Sequence, residues 1–520
     1  MSTNKSIVKS ASIISAATIL SRVLGFIRDI IIAKLFGTKE TAQAFVVAFR
    51  IPNLLRDLVG EGATNSAVVP VFSEYLVTKK REEFWRLANV ILNLLFISLS
   101  VIAILGITCA PLIVRIIAPG FIEDPGKLNL TIKLTRILFP YLIFIGLTAY
   151  SMGVLFTFKS FFTPSLSPCL LNISTIVAAL LASQRMKEPI VGLAIGVLVG
   201  GLLQLIIQIP PLFKKGFKLI RLENTASYLS HPGAKQIGKL LLPRVFGSAI
   251  YQLNVFVDTI CASLAQIVGE GAVAAIYYSN RLIQFPMAVF GIALSSAALP
   301  TMSEFAAIKD FEKLKRTLNF SLRGIFLIML PSQAMLIALA TPLTKIFFQR
   351  GEFNSYSTLI TSSALLYYAL GLFAYAGVKI LVSCFYSLQD TKTPVKVAAL
   401  SLIVNVILNV ILMFPLKVGG IALASAVSAT LNFSILFSIL KKRIGNFDAG
   451  FFDFFLRIFL VSLLTGIVVF IFWQSYFLNL NEIFKLGLGI CLGLAVFIFI
   501  AFLIKIREIK DLVLWLLKKR

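Results

Sequence analysis

The chain has 520 residues, 58% of them hydrophobic, and a mean hydropathy of +0.92, where ordinary soluble domains are roughly 45–50% apolar. That excess excludes a water-soluble globular protein. The formal net charge of +26 does not point to nucleic acid, because no stretch is long and polar enough to form a soluble module with a basic face; the bases lie mostly between apolar runs, as topology signals and contacts to anionic lipid.

Lys5 and Lys9 precede the first apolar run in the manner of a signal peptide, but the run continues past Arg28 with no clear cleavage site, so it reads as a retained first span. Apolar segments of spanning length, about 20 residues or more, cover 13–36, 42–76, 84–118, 130–156, 161–181 and 189–213. A basic amphipathic stretch with Lys214, Lys215, Lys218 and Arg221 follows, and then spans over 240–268, 272–302, 314–348, 356–388, 394–413 and 421–440. Two more, 451–477 and 483–504, precede a basic tail with Trp515, Lys518, Lys519 and Arg520 that is expected on the membrane surface. The reading is an all-α polytopic membrane protein of about fourteen transmembrane helices. Its expected parts are an N-terminal lobe of six helices (1–215), a cytoplasmic linker (216–239), a second six-helix lobe (240–443), and two extra C-terminal helices with the tail (444–520).

Alternate connections are rich in Lys and Arg: Lys79, Lys80 and Arg81; Lys214 and Lys215; Lys309, Lys313, Lys315 and Arg316; Lys392 and Lys396; Lys441, Lys442 and Arg443. The intervening ones are sparse or acidic, as at Glu123 and Asp124 and at Glu270. The positive-inside rule then puts both termini in the cytoplasm. The pattern from Asp29 to Pro70, Ser73, Glu74 and Tyr75 recurs from Asp258 to Pro300, Ser303, Glu304 and Phe305, and Thr163-Pro164 recurs as Thr393-Pro394, all at an offset of about 230 residues. Six helices per half is an even number, so both halves enter from the same side and a pseudo-two-fold along the membrane normal relates them, with a cleft between.

Intramembrane arginines are costly and usually face a bundle interior or a water-filled cavity. In the first span, about 100° per residue places Ser21, Arg22, Gly25, Arg28 and Asp29 within one arc, leaving Val23, Leu24, Phe26 and Ile27 on the other side. The bland alternative is that the arginines snorkel or pair with Asp29, but one acid does not neutralise two bases. The second span gathers Asn53, Arg56, Asp57, Gly60 and Glu61 beyond Pro52, and the eighth gathers Tyr277, Asn280, Arg281 and Gln284. A surplus of guanidiniums suits phosphate oxygens, which arginine engages bidentately; Asp57 and Glu61 serve equally well as structural partners of Arg56. Asp258 with Asn254, and Asn405 with Asn409 one turn apart, offer oxygen ligands for a hard cation such as sodium, although asparagines also act as interhelical hydrogen-bond glue. Cys109, Cys169, Cys261, Cys384 and Cys491 lie in apolar runs without a CxxC pair, which excludes a disulfide framework or zinc site. The single histidine, His231, reads as a surface loop residue with no nucleophile grouped with it, so no enzyme is indicated.

The run from Ser21 to Asp29, then Phe49-Arg50-Ile51-Pro52-Asn53-Leu54-Leu55-Arg56, Gly60-Glu61-Gly62-Ala63 and Val69-Pro70-Val71, resembles the signature of the MurJ (MviN) lipid II flippases. Ala118-Pro119-Gly120-Phe121, Leu171-Asn172-Ile173-Ser174, Arg281 to Pro286, and Phe385-Tyr386-Ser387 through Asp390 to Lys396 continue it in order along essentially the whole chain. The resemblance implies membership of the MOP exporter superfamily. It also implies peptidoglycan biosynthesis at the bacterial inner membrane, where undecaprenyl-pyrophosphate-linked disaccharide-pentapeptide is moved outward by alternating access. Carried onto matching positions, the cavity residues are Ser21, Arg22, Arg28, Asp29, Arg56, Glu61 and Arg281. A sodium site would fall on Asp258, Asn405, Asn409 and Ser425, and the last two spans would form a groove for the polyprenyl tail. No cofactor is required; lipid II and membrane lipids are the expected partners, with cell-wall synthesis proteins as further candidates. Gln43 stands where the family commonly has an acid, Asn280 and Gln284 stand where it has acids near its helix 8 arginine, and Asn409 replaces an acid that some members use, which makes the cavity more positive and the ion site less charged. The competing readings are a flippase for another polyprenyl-linked glycan, a multidrug or cation antiporter, which calls for an acidic cavity, and a non-transporting scaffold, which needs no intramembrane arginines.

Overall fold

A computed structural model describes residues 3–56, 67–219, 231–445, 447, 450–475, 481–504 and 506, and every regular element among them is helical. The chain divides into two compact units, 1–264 and 265–520. The first contains α1 (Thr3–Phe36), α2 (Glu40–Arg56), α3 (Val69–Thr78), α4 (Arg81–Thr108), α5 (Ala110–Ile117), a 3-10 turn (Pro119–Glu123), α6 (Pro125–Leu138), α7 (Tyr141–Thr157), α8 (Phe162–Arg185), α9 (Pro189–Ile206), α10 (Ile209–Lys214) and α11 (Pro232–Ser263). The second contains α12 (Ala265–Val268), α13 (Ala272–Pro286), a π turn (Met287–Gly291), α14 (Ile292–Ala307), α15 (Phe311–Ala338), α16 (Ala340–Phe348), α17 (Ser355–Ala369), α18 (Leu372–Ser387), α19 (Lys392–Leu416), α20 (Val418–Ile444), α21 (Gly450–Gln474) and α22 (Glu482–Leu503).

Among the described residues ten helical runs are long and apolar enough to cross a membrane, and the pair α17 and α18, bent by 46°, makes an eleventh. The other three expected spans fall on α1, α2 and α11. These are the helices whose membrane stretches carry Arg22, Arg28 and Asp29, Arg50 and Pro52, or Gln252, Asn254 and Asp258, which lowers their apolar character. Several expected single spans are interrupted: 84–118 breaks at Cys109 between α4 and α5, and 314–348 at Leu339 between α15 and α16; in 42–76, residues 57–66 lie outside the described set.

The two units share their punctuation. α4 gives way to α5 at Cys109, and α15 to α16 at Leu339. Asp124 caps α6 by accepting from the Lys127 N–H, and Asn354 caps α17 by accepting from the Ser357 N–H. The turn after α7 has Lys159 at φ +56°, and the turn after α18 has Gln389 at φ +58°. In each turn the following N–H reaches back to close the helix, Ser160 to the Leu155 carbonyl and Asp390 to that of Phe385, both at 2.9 Å. Every one of these pairs is 230 residues apart, so the internal repeat glimpsed in short sequence matches is a repeat of helix ends and caps.

Residues 232–239, expected in the linker, form the first turns of α11, and His231 is its N-cap, accepting through Nδ1 from the Gly233 N–H at 3.2 Å. α11 belongs to the first unit although the sequence reading places it in the second lobe. One reason is Gly120 in the 3-10 turn. A Cβ there would lie 2.0 Å from the Ser263 carbonyl oxygen, so only glycine lets the backbone at the end of α11 come this close. At the other end of the helix, buried Ile237 joins the cluster of Phe72, Phe84, Trp85 and Tyr150, whose tyrosine hydroxyl donates to the Ala88 carbonyl at 2.9 Å.

Candidate intramembrane binding site

The polar arc of α1 is present, and it is wired to α8. Asp29 is buried, at 1% exposure. Arg28 donates to its Oδ1 from Nη2 at 2.8 Å and from Nε at 3.0 Å. The remaining Nη1 donates to the Asn172 side-chain oxygen at 3.0 Å, and the Asn172 amide nitrogen donates to the Ser21 carbonyl at 2.9 Å. Thus Asp29 and Asn172 hold the Arg28 guanidinium by three of its corners, and Asn172 closes the ring back onto the helix about two turns earlier. Arg22, on the same arc, is exposed, and Ser21 is half-buried. Charge pairing with Asp29 is therefore correct for Arg28, whereas Arg22 extends from the helix.

In the second unit Arg281 lies on α13, its guanidinium 4.7 Å over the Tyr277 ring. It donates from Nη2 to the Tyr277 hydroxyl at 2.9 Å and from Nη1 to Gln284 Oε1 at 3.3 Å. The spacings of four and three residues put these groups on one helix face, as the sequence arc requires. Asn53 is half-buried, directly after buried Pro52 in α2. Arg56 ends α2, but its side chain, with Asp57, Gly60 and Glu61, lies outside the described residues.

Of the residues considered for sodium, Asp258 is buried in α11 of the first unit, at 8% exposure. In the second unit Asn409 donates to the Asn405 side-chain oxygen at 3.0 Å, and Asn405 donates to Ser425 Oγ at 3.3 Å. That chain ties α19 to α20, as interhelical hydrogen bonds do. Among the described residues no three His, Cys, Asp or Glu side chains gather to hold a metal.

Two residues of this landscape escaped the sequence reading. Asn172 was visible only as part of a family motif; nothing in one sequence says that its amide meets Arg28, 144 positions away. Lys379 sits in the middle of α18, and its side chain is exposed. The signal for it was available, since a lone lysine inside the apolar run 372–387 is itself a functional flag.

Long apolar helices in two units of matching punctuation, with guanidiniums held on polar helix faces at membrane depth, define a multi-pass membrane protein built around intramembrane charge. The family model described as "Lipid II flippase MurJ" matches residues 32–490. The lipid II flippase MurJ of Burkholderia cenocepacia is 37% identical over 446 residues, 86% of each chain. The probable lipid II flippase MurJ of Vibrio cholerae is 35% identical, over 84% of this chain and 83% of the relative. A solved lipid II flippase MurJ in an inward closed conformation superimposes with a TM-score of 0.81 at 28% identity, over 96% of this chain and 99% of that one. A multidrug-resistance MATE family transporter of the MOP superfamily shares the fold, with a TM-score of 0.69 at 16% identity over 82% of this chain and 94% of its own. The chain belongs to the MurJ lipid II flippase family.

Proposed function

We propose that this protein moves lipid II, the undecaprenyl-pyrophosphate-linked disaccharide-pentapeptide, from the cytoplasmic to the outer leaflet of the bacterial inner membrane by alternating access, with both termini in the cytoplasm. The observation that carries the reading is the α1 site. Arg28 is held in place by Asp29 and Asn172 while Arg22 on the same arc stays exposed. Fixed guanidiniums at membrane depth suit a phosphate, which they engage bidentately, and a drug-cation antiporter would want the opposite sign. A ligand that binds one conformation better than another shifts the balance between them, which is how pyrophosphate capture would drive the cycle. Lipid II is the partner this reading requires; contacts with cell-wall synthesis proteins extend it.

Depletion of the protein in its host tests the substrate. Lipid II should accumulate on the cytoplasmic side; accumulation of a different polyprenyl-linked glycan would favour the other flippase reading. Sodium coupling enters the proposal through Asp258, a buried carboxylate that offers hard oxygen ligands at membrane depth. Translocation should fall when choline replaces sodium and in Asp258→Asn, and indifference to both would leave Asp258 a structural role.

A further inference from the structure

α18 is packed on three sides within its unit. Ala376 faces Gly291, Gly377 lies against Phe433 and Phe326, and Ser383 Oγ is 2.9 Å from Ser295 Oγ. The remaining side carries a row made of Tyr375, Lys379, Val382 and Tyr386, in which Lys379 and Tyr386 are exposed, Tyr375 and Val382 are half-buried, and the Tyr375 hydroxyl is buried. A lipid-facing row would be apolar; this one has a charge at its centre and a phenol one or two turns to either side.

Depth makes the lysine costly. It is eight residues from Ser387 at the end of the helix, roughly 12 Å at 1.5 Å per residue, in a hydrocarbon layer about 30 Å thick. The Cα–Cβ bond of a helical residue tilts toward the N-terminus, which for Lys379 is away from the Ser387 end, so reaching water at that end by snorkelling works against the helix. Among the described residues no carboxylate pairs with it. Nor does the fold need it: the residue 230 positions earlier, in α7 before the equivalent Lys159 turn, is Ala149, which is buried at 2% exposure. The same helix position is therefore filled by a methyl group in one unit and by an ammonium in the other.

We propose that Lys379 is a further substrate-binding residue, whose ammonium reaches a water-filled opening in the membrane and takes a phosphate oxygen of the polyprenyl pyrophosphate. This rests on the flippase reading above and adds a contact from α18 to it. Lysine binds phosphate as a point charge without needing a fork, so charge and not shape should decide the outcome.

The test uses the full-length protein in liposomes with exposed Cys109 and Cys491 changed to serine. Lys379→Cys should react with a charged, water-borne methanethiosulfonate, and lipid II should slow that reaction. Lys379→Gln should bind lipid II about ten-fold more weakly, the scale of one charge-assisted hydrogen bond, while Lys379→Arg stays close to wild type and shows that the position tolerates change. A thiol that is inert in water, or labelling that lipid II does not slow, overturns the proposal, as does normal binding by Lys379→Gln. If the wild-type protein itself binds no lipid II, the flippase reading fails and takes this one with it.

Discussion

Arg28 and Lys379 are both cations at membrane depth, and the two units treat them differently. In α1 the guanidinium is almost buried, at 11% exposure, and is clamped between the Asp29 carboxylate and the Asn172 amide. In α18 the Lys379 side chain is exposed, and among the described residues no carboxylate pairs with it. A clamped charge has a fixed direction and little freedom to lose on binding; an open one can follow a moving ligand but holds no direction by itself. The difference separates a preorganised element from an adaptable one.

Breaking the clamp should have the largest effect. Asp29→Ala leaves the Arg28 charge in a nearly closed site, and removal of one partner from a buried pair costs about 3–5 kcal/mol. Thermal unfolding in detergent should show a large loss for Asp29→Ala and a smaller one when Arg28→Met is added. An unchanged transition in Asp29→Ala would mean that the clamp contributes nothing to the fold. Asn172→Ala should do less, about 1–3 kcal/mol for one orphaned hydrogen-bonding group. It should also weaken lipid II binding, with partial recovery in Asn172→Gln if orientation of Arg28 is what Asn172 supplies. Loss of stability without loss of binding would confine Asn172 to packing.

The smallest effect concerns the turn that ends α18. Burial pushes the Asp390 carboxyl up, but hydrogen bonds from the Thr393 N–H and hydroxyl and from Arg443 outweigh it and hold the group at about 2. Arg443 Nη1 lies 2.5 Å from Asp390 Oδ2. Because the folded value is depressed, the contribution to stability is complete above the ordinary carboxylate range near pH 4 and is lost as pH falls from there toward 2. Asp390→Asn keeps the cap and loses the charge pair, so at neutral pH it should cost at most about 1 kcal/mol, with the gap to wild type closing in acid. It should leave the thiol reactivity of Lys379→Cys unchanged; a shift would show that the turn, and not the packing of α18, sets the direction of that side chain.

The architecture was legible because apolar length, basic loops and proline-opened helices are local properties of the chain. Helix breaks were legible only as excess length: the apolar run 356–388 is longer than the roughly 20 residues a crossing needs, but nothing in it places the 46° bend between α17 and α18. The reason is spatial, since a Cβ on Gly371 would come within 2.8 Å of the Ala426 Cα in α20. At the site, helical periodicity correctly put Ser21, Arg22, Arg28 and Asp29 on one arc, and Tyr277, Arg281 and Gln284 on another. Periodicity describes one helix at a time, so it missed Asn172 reaching across from α8. It also could not tell that Asn405 and Asn409 are occupied with each other and with Ser425.

The most direct measurement is lipid II binding and translocation by alanine and lysine variants at Arg22, Arg28, Arg56 and Arg281, at matched expression. Each alanine should weaken binding by roughly ten-fold to a hundred-fold, from the loss of charge-assisted bonds of about 1.5–3 kcal/mol. Lysine should fail to restore function wherever the guanidinium fork is used. Normal binding and translocation by all four alanine variants would contradict the account and leave these arginines as structural groups.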